Sequence, residues 1–151
     1  YHSNVNVVGP VEGVVSANDG SANYDKKDSY YRSQKGYDNF KTGNSCGESC
    51  NSRTEVVIAG SNGGILHAFK ASDGEELWGY IPPIVFDNLE RIPSSKANTT
   101  NAVYGVDSSP VVKDIYFDDL GNGNKRWRTV LISGVGAGGV GTGGVGAGGA
   151  S

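Results

Sequence analysis

Apolar residues in this chain arrive in short bursts of strand length, separated by Gly, Asn, Asp and Ser rather than by helical spacing. The clearest case runs from residue 55 to 82. Val56, Val57 and Ile58 form one β-branched run, Ile65, Leu66, Ala68 and Phe69 a second, and Leu77, Trp78, Tyr80 and Ile81 a third. Each is too short for an amphipathic helix and the right length for a strand. Asn62-Gly63-Gly64 and Ser72-Asp73-Gly74 separate them. Both are rich in residues that tolerate positive φ, so the joins favour hairpins and the segment reads as a three-stranded antiparallel meander.

The flanks divide by the same criteria. Residues 1–15 carry Val5, Val7 and Val8, then Gly9-Pro10, then Val11, Val14 and Val15, which predicts an opening strand broken at the Gly-Pro. Residues 16–54 are a polar insertion in which Tyr24, Tyr30, Tyr31, Tyr37 and Phe40 are the large side chains. Their spacing seats a helical turn inside a segment pinned to the body by its aromatics. Residues 55–83 are the complete meander. In 84–101, Ile84, Val85, Phe86, Leu89 and Ile92 predict one short helix ended by Pro93, followed by loop composition that includes an Asn98-Thr99-Thr100 glycosylation-type triplet. Residues 102–133 supply two further strands, one through Val111, Val112, Ile115 and Tyr116 and one through Trp127, Thr129, Val130, Leu131 and Ile132. Pro110 stands at a strand start, where its missing donor is tolerated. Residues 134–151 form a Gly-Val-Gly repeat with Val135, Val140 and Val145 as its sizeable side chains. So little apolar area cannot offset the entropy of ordering, so any order there requires extended packing against neighbours.

The segments GSNGGILHAF, GEELWGYIPP, VDSSPVVKDIYF and WRTVLISGVGAGGVG, in that order within residues 53–141, resemble the C-terminal propeller of the PilY1/PilC family of type IV pilus biogenesis factors and tip adhesins. More broadly, a glycine-rich turn, an apolar strand and a closing Leu-Trp resemble a quinoprotein-like propeller blade. The fold expected from this resemblance is mainly β: antiparallel meander blades of a partial quinoprotein-like β-propeller, with a long polar insertion, one short helix and a Gly-rich tail. Since a blade takes roughly 40–50 residues and closure about four blades or more, one complete blade and part of a second are expected. The resemblance also implies blade docking through Gly60, Gly63, Gly64, Trp78 and Trp127, because a Trp near the end of one blade docks beside the glycine turn of a neighbour. The tail departs from the family, which continues into an aromatic-rich third strand.

Charge narrows the functional classes. A net charge of −3, from 13 basic and 16 acidic residues well mixed, disfavours a nucleic-acid binder. No run of about 18 apolar residues exists to form a membrane span. Tyr1 is not an initiator and no leader pattern remains at the start, so a processed or partial form of a longer protein is expected. The 24 glycines, about twice average usage, suit an extracellular β protein.

Cys46 and Cys50 are too few for a tetrahedral zinc site and not spaced as Cys-x-x-Cys, so a local disulfide in an oxidising compartment is expected. Asp118, Asp119, Asn122 and Asn124 could offer oxygens to calcium but lack alternating EF-hand spacing and a late Glu, so the hairpin turn is preferred over a metal site. Calcium is otherwise implied only by the family, in a loop further along the propeller. No cofactor is expected in this chain. His67, alternating with Leu66 and Ala68, reads as a half-buried strand residue bonded to backbone rather than a catalytic base.

The expected function is therefore non-enzymatic: a pilus-associated component at the surface of a Gram-negative bacterium, taking part in pilus assembly, adhesion or surface sensing. The resemblance implies minor pilins or a host or abiotic surface as partners. Tyr24, Tyr30, Tyr31 and Tyr37 are candidates for an interaction surface, since tyrosines give large amphipathic contact area at low entropic cost. The alternative is a structural subunit that self-associates into an extracellular filament through open strand edges and the tail. A quinone-dependent dehydrogenase fragment is disfavoured, because so few blades cannot assemble a cofactor pocket.

Overall fold

The computed structural model describes residues 4–44, 46, 49–89, 105–106, 108–135 and 148–149. The helix end expected at Ile92, the glycosylation-type triplet, Tyr104 and most of the glycine repeat lie outside them. The described chain is mainly β, with two antiparallel sheets. It separates into two compact units, one built on residues 1–8, 55–113 and 131–148 and the other on 9–54, 114–130 and 149–151.

The first unit holds a four-stranded sheet in the order β1-β2-β3-β4, with β1 at Asn6–Val8, β2 at Val56–Gly60, β3 at Leu66–Lys70 and β4 at Glu76–Tyr80. All neighbours are antiparallel. Val8 pairs with Val56, Ile58 with Ala68, and Leu66 with Tyr80. A bulge between Ala68 and Phe69 shifts the β3–β4 register, which bends the strand and increases its local twist. The three strands read from the apolar bursts are present, and the opening valines supply β1. Ile58, Leu66, Ala68 and Val106 form the core, flanked by Val8, Val56, Val112 and Leu131.

Two tight turns set the register. At the first, Gly64 takes φ +84°, and Ser61 clamps the loop by donating both its amide and its hydroxyl to the Ile65 carbonyl. At the second, Gly74 takes φ +78° and Asp73 receives the Lys70 ammonium and the Glu75 amide. Strand β4 is exposed along its whole length and lies at the sheet edge. After it come a 3-10 turn, Pro83–Val85, and the single helical turn Phe86–Leu89. Val85 anchors that turn by burial.

The second unit is more helical than a single turn in a polar insertion. A 3-10 turn at Tyr24–Lys26 leads into α1, Asp28–Gln34, and then α2, Tyr37–Thr42. Gly36, at φ +63°, separates the two helices, since a left-handed residue ends one helix and redirects the next. Tyr37 and Phe40, three apart on α2, face inward and pack with Val11, Cys50 and Trp127. Val11, Val14 and Val15 do not continue the opening strand. Val11 is instead drawn into this core, its amide donating to the Cys50 carbonyl. Strands β5, Val111–Phe117, and β6, Arg126–Ile132, pair in a second sheet, where Gly148–Gly149 adds a short β7. Residues of β5 and β6 contribute to both units.

Candidate recognition surface

Trp127 is the centre of an aromatic cluster in the second unit. Its ring meets Tyr37 edge-on at a centroid distance of 4.7 Å, Tyr116 at 5.5 Å and Tyr31 at 6.0 Å, and lies nearly parallel to Phe40 at 6.5 Å. T-shaped and offset contacts of this kind suit the ring quadrupoles. The indole N–H donates to the Lys35 carbonyl at 2.9 Å, which satisfies its one polar atom on burial. Two cations sit against the cluster: the Arg32 guanidinium lies 5.4 Å from the Tyr37 ring centroid, and the Lys35 ammonium 5.9 Å from that of Tyr116.

A polar chain runs beside the rings. The Tyr37 hydroxyl donates to Asp114 at 2.5 Å, and the Thr129 hydroxyl donates to the other oxygen of the same carboxylate at 2.7 Å. Arg53 donates to Thr129 at 2.8 Å and to the Gly9 carbonyl at 2.6 Å. Burial first, and then the Asp114 carboxylate, push the Tyr37 phenol above its ordinary range. Gly13 is close enough that a Cβ there would fall 2.6 Å from the Tyr37 hydroxyl. The backbone and the ring therefore share one tight packing site.

The four tyrosines read as an interaction surface separate by burial. Tyr31 is 47 % exposed, whereas Tyr24 and Tyr30 are half-buried and pack edge-on at 5.6 Å. Tyr37 must be removed from the surface set. It is 1 % exposed and is the largest fully buried side chain among the described residues. Its i, i+3 partnership with Phe40 was the signal available in the sequence, because two aromatics on one face of a short helix form a core stripe. Asp114 and Thr129 carried no such signal, since alternation along a strand does not show which polar residues will find each other.

The residues assigned to blade docking also separate. Gly60 and Gly64 pack against the Val106 and Gly105 backbone, where an added Cβ on Gly60 or Gly105 would collide. The Val106 amide reaches the Ser61 carbonyl at 3.1 Å. Gly63 is exposed, and so, at 38 %, is Trp78. The glycine turn receives the Gly105–Val106 backbone. Trp127 is taken up by the aromatics of the insertion, where its N–H finds a carbonyl.

The remaining candidates are engaged as follows. Asp118 accepts the amides of Leu120, Asn122 and Gly123, and these bonds hold its carboxyl below the ordinary range. Asp119 pairs with Arg126 and Arg128, which lowers its pKa to about 2. Asn122 accepts the Asn124 amide. These oxygens organise the β5–β6 turn and its base. Cys46 and Cys50 are disulfide-bonded, with Cα atoms 5.4 Å apart and Cys50 fully buried. His67 is half-buried as expected, but its Nδ1 lies 2.8 Å from the Glu76 carboxylate on β4 rather than on backbone. The β3–β4 register places this pair across neighbouring strands. Among the described residues, no cluster of three or more His, Cys, Asp or Glu is arranged to hold a metal ion, and no helix is long and apolar enough to cross a membrane.

The chain is 36 % identical over 102 residues to the type IV pilus biogenesis factor PilY1 of Pseudomonas aeruginosa strain UCBPP-PA14, a match that covers 68 % of this chain and 8 % of the relative. PilY1 of strain PAK is 36 % identical over 91 residues, covering 60 % of this chain and 7 % of that protein. A PilY1 homolog of Xylella fastidiosa is 36 % identical over 86 residues, covering 57 % and 6 %. The chain therefore spans less than a tenth of the length of these relatives. No protein-family profile and no solved structure matches it. Across two thirds of its length this chain is a PilY1-like region, related by sequence to a short segment of a type IV pilus biogenesis factor.

Proposed function

We propose that this chain serves as a non-enzymatic recognition module in type IV pilus biogenesis, on the outer surface of a Gram-negative bacterium. The observation that carries the reading is the 36 % identity to PilY1 over two thirds of the chain. A four-stranded antiparallel meander closed by glycine turns, the form of a propeller blade, supports it. Recognition in this reading uses loops, exposed aromatics and strand edges rather than chemistry. Minor pilins or a host or abiotic surface are the partners. The test is deletion of the encoding segment from its parent gene in the source bacterium, scored by pilus number in electron micrographs and by attachment. Loss of either, restored by complementation, supports the reading. Unchanged piliation and attachment would sink it.

A second reading is favoured by one feature, the wholly exposed edge strand β4, on which Leu77, Trp78 and Tyr80 are 44 %, 38 % and 52 % exposed. An edge of this kind is a template for pairing with another chain. As a structural subunit, the chain would assemble into filaments visible by electron microscopy. Those filaments would disappear on removal of residues 134–151 or on Trp78→Lys.

A further inference from the structure

Asn followed directly by Gly occurs twice in the chain, at Asn62-Gly63 and Asn122-Gly123. Each pair lies in a connection between neighbouring strands and both are exposed, so exposure does not tell them apart. Their hydrogen bonds do. Between β5 and β6 the Gly123 amide donates to Asp118 Oδ2 at 2.6 Å, the Asn122 amide donates to the other oxygen of that carboxylate at 3.2 Å, and the Asn122 side-chain carbonyl accepts the Asn124 amide at 3.0 Å. Between β2 and β3 the turn is closed by the Gly64 amide donating to the Ser61 carbonyl at 3.1 Å. That scheme leaves the amide of Gly63, at the third position of the turn, unused. Among the described residues, neither the Gly63 amide nor the Asn62 side chain has a hydrogen-bond partner.

This difference bears on a reaction that an Asn-Gly pair undergoes with water alone. The backbone nitrogen of Gly63, having given its proton to solvent base, attacks the side-chain Cγ of Asn62, and the missing side chain on Gly63 leaves its path open. A carbon–nitrogen bond forms, the bond to the side-chain nitrogen breaks, and ammonia leaves. Water then opens the cyclic imide at either carbonyl and yields Asp or β-linked isoaspartate. Water is consumed, ammonia is released, and nothing is oxidised or reduced. We propose that Asn62 is a site of spontaneous deamidation in the folded chain, and that the Asp118 bonds protect Asn122 from the same reaction. The β-linkage adds a methylene to the main chain of the turn, where there is no slack to absorb it. A Cβ on Gly105 would fall 2.4 Å from the Gly64 Cα, and Ser61 is tied to both Ile65 and Val106. The modification therefore acts on the hairpin that sets the β2–β3 register, and it is independent of any recognition role.

The full chain is held in mildly alkaline buffer, sampled over weeks, and digested with trypsin for mass spectrometry. Cleavage after Arg53, Lys70, Lys113 and Lys125 puts each Asn-Gly pair on its own peptide, 54–70 and 114–125. Asn62 is expected to deamidate about tenfold faster than Asn122 or more, because a charge-assisted bond must break before Gly123 can react. In the two synthetic peptides, where no fold protects either pair, the rates should agree within about twofold. Asp118→Ala should bring Asn122 up toward the rate of Asn62. Gly63→Ala should slow the reaction at Asn62 about tenfold by obstructing the nitrogen. It keeps the turn, because Gly63 has no positive φ and a Cβ there meets only the Ser61 hydroxyl, at 3.6 Å. Circular dichroism checks that both variants are folded. The isoaspartate form, separated by ion exchange, should unfold at a lower urea concentration than the parent chain. Asn62 reacting no faster than Asn122 in the folded chain, the same gap persisting in the free peptides, or an Asn122 rate unmoved by Asp118→Ala overturns the proposal.

Discussion

The hydroxyl of Tyr37 donates to the Asp114 carboxylate across 77 positions of sequence, at 2.5 Å. One bond thereby ties a helix of the insertion to a strand of the β5–β6 hairpin, both within the second unit. Its effect is larger than that of a surface bond because the ring is buried and the carboxylate is partly so.

Replacing Tyr37 with Phe should cost about 1–3 kcal/mol, since it keeps the packing and removes a donor from a partly buried carboxylate. Urea unfolding followed by circular dichroism measures this. A cycle with Asp114→Asn should show coupling between the two positions, whereas additive effects would mean the bond does not matter to stability.

The same phenol makes stability sensitive to alkali. Its folded pKa is raised above the unfolded value by burial and by Asp114. The contribution is therefore fully present below about pH 10, the unfolded pKa, and is lost as pH rises through the folded pKa. Stability measured from pH 8 to 11 should fall less steeply in Tyr37→Phe than in the parent chain. Parallel curves would contradict the assignment.

Asp119 acts at the opposite end of the pH scale. Its folded pKa, lowered to about 2 by Arg126 and then Arg128, means that its contribution is present above the ordinary carboxylate pKa and is lost as pH falls from about 4 toward 2. Asp119→Asn should remove that part of the acid dependence. Screening by salt should shrink it as well, because the group is at the surface.

Gly60→Ala tests the close approach of two backbones. A methyl group there runs into the Val106 carbonyl, which is backbone and cannot rotate aside, so a loss of about 1–3 kcal/mol is expected by overpacking. Gly121→Ala, in open space but at φ +65°, should cost less, from backbone strain alone. Thermal melts of the two variants rank these effects, and equal melts would contradict the close-packing account.

The two tryptophans should differ in solution. Trp127, 7 % exposed, is expected to emit at short wavelength and resist acrylamide, whereas Trp78, 38 % exposed, should emit at longer wavelength and be quenched. Single-Trp variants separate them. Trp127→Ala should also cost about 3–5 kcal/mol, as buried aromatic truncations do.

The sheet was legible because period-2 apolar bursts and Gly-Asn-Asp turns are local signals. Val56 to Ile58 and Asn62-Gly63-Gly64 determine a hairpin without reference to the rest of the chain. The insertion was harder to read. Polar composition around Tyr30, Tyr31, Tyr37 and Phe40 suggested one pinned turn, but Gly36 allows two helices, and Trp127, 90 residues beyond Tyr37, supplies the core that makes them worthwhile. The same distance in sequence hid the Tyr37–Asp114 bond. Local propensity cannot report which long-range partners a side chain will find.

The ladder between β1 and β2 brings Val8 opposite Val56, so the segment from Gly9 to Thr54 leaves and rejoins the sheet at two adjacent strands. Such a segment is an insertion whose two ends the sheet itself holds together. Tyr37 and Phe40 within it pack on Trp127 of β6, so shortening it would uncover that indole.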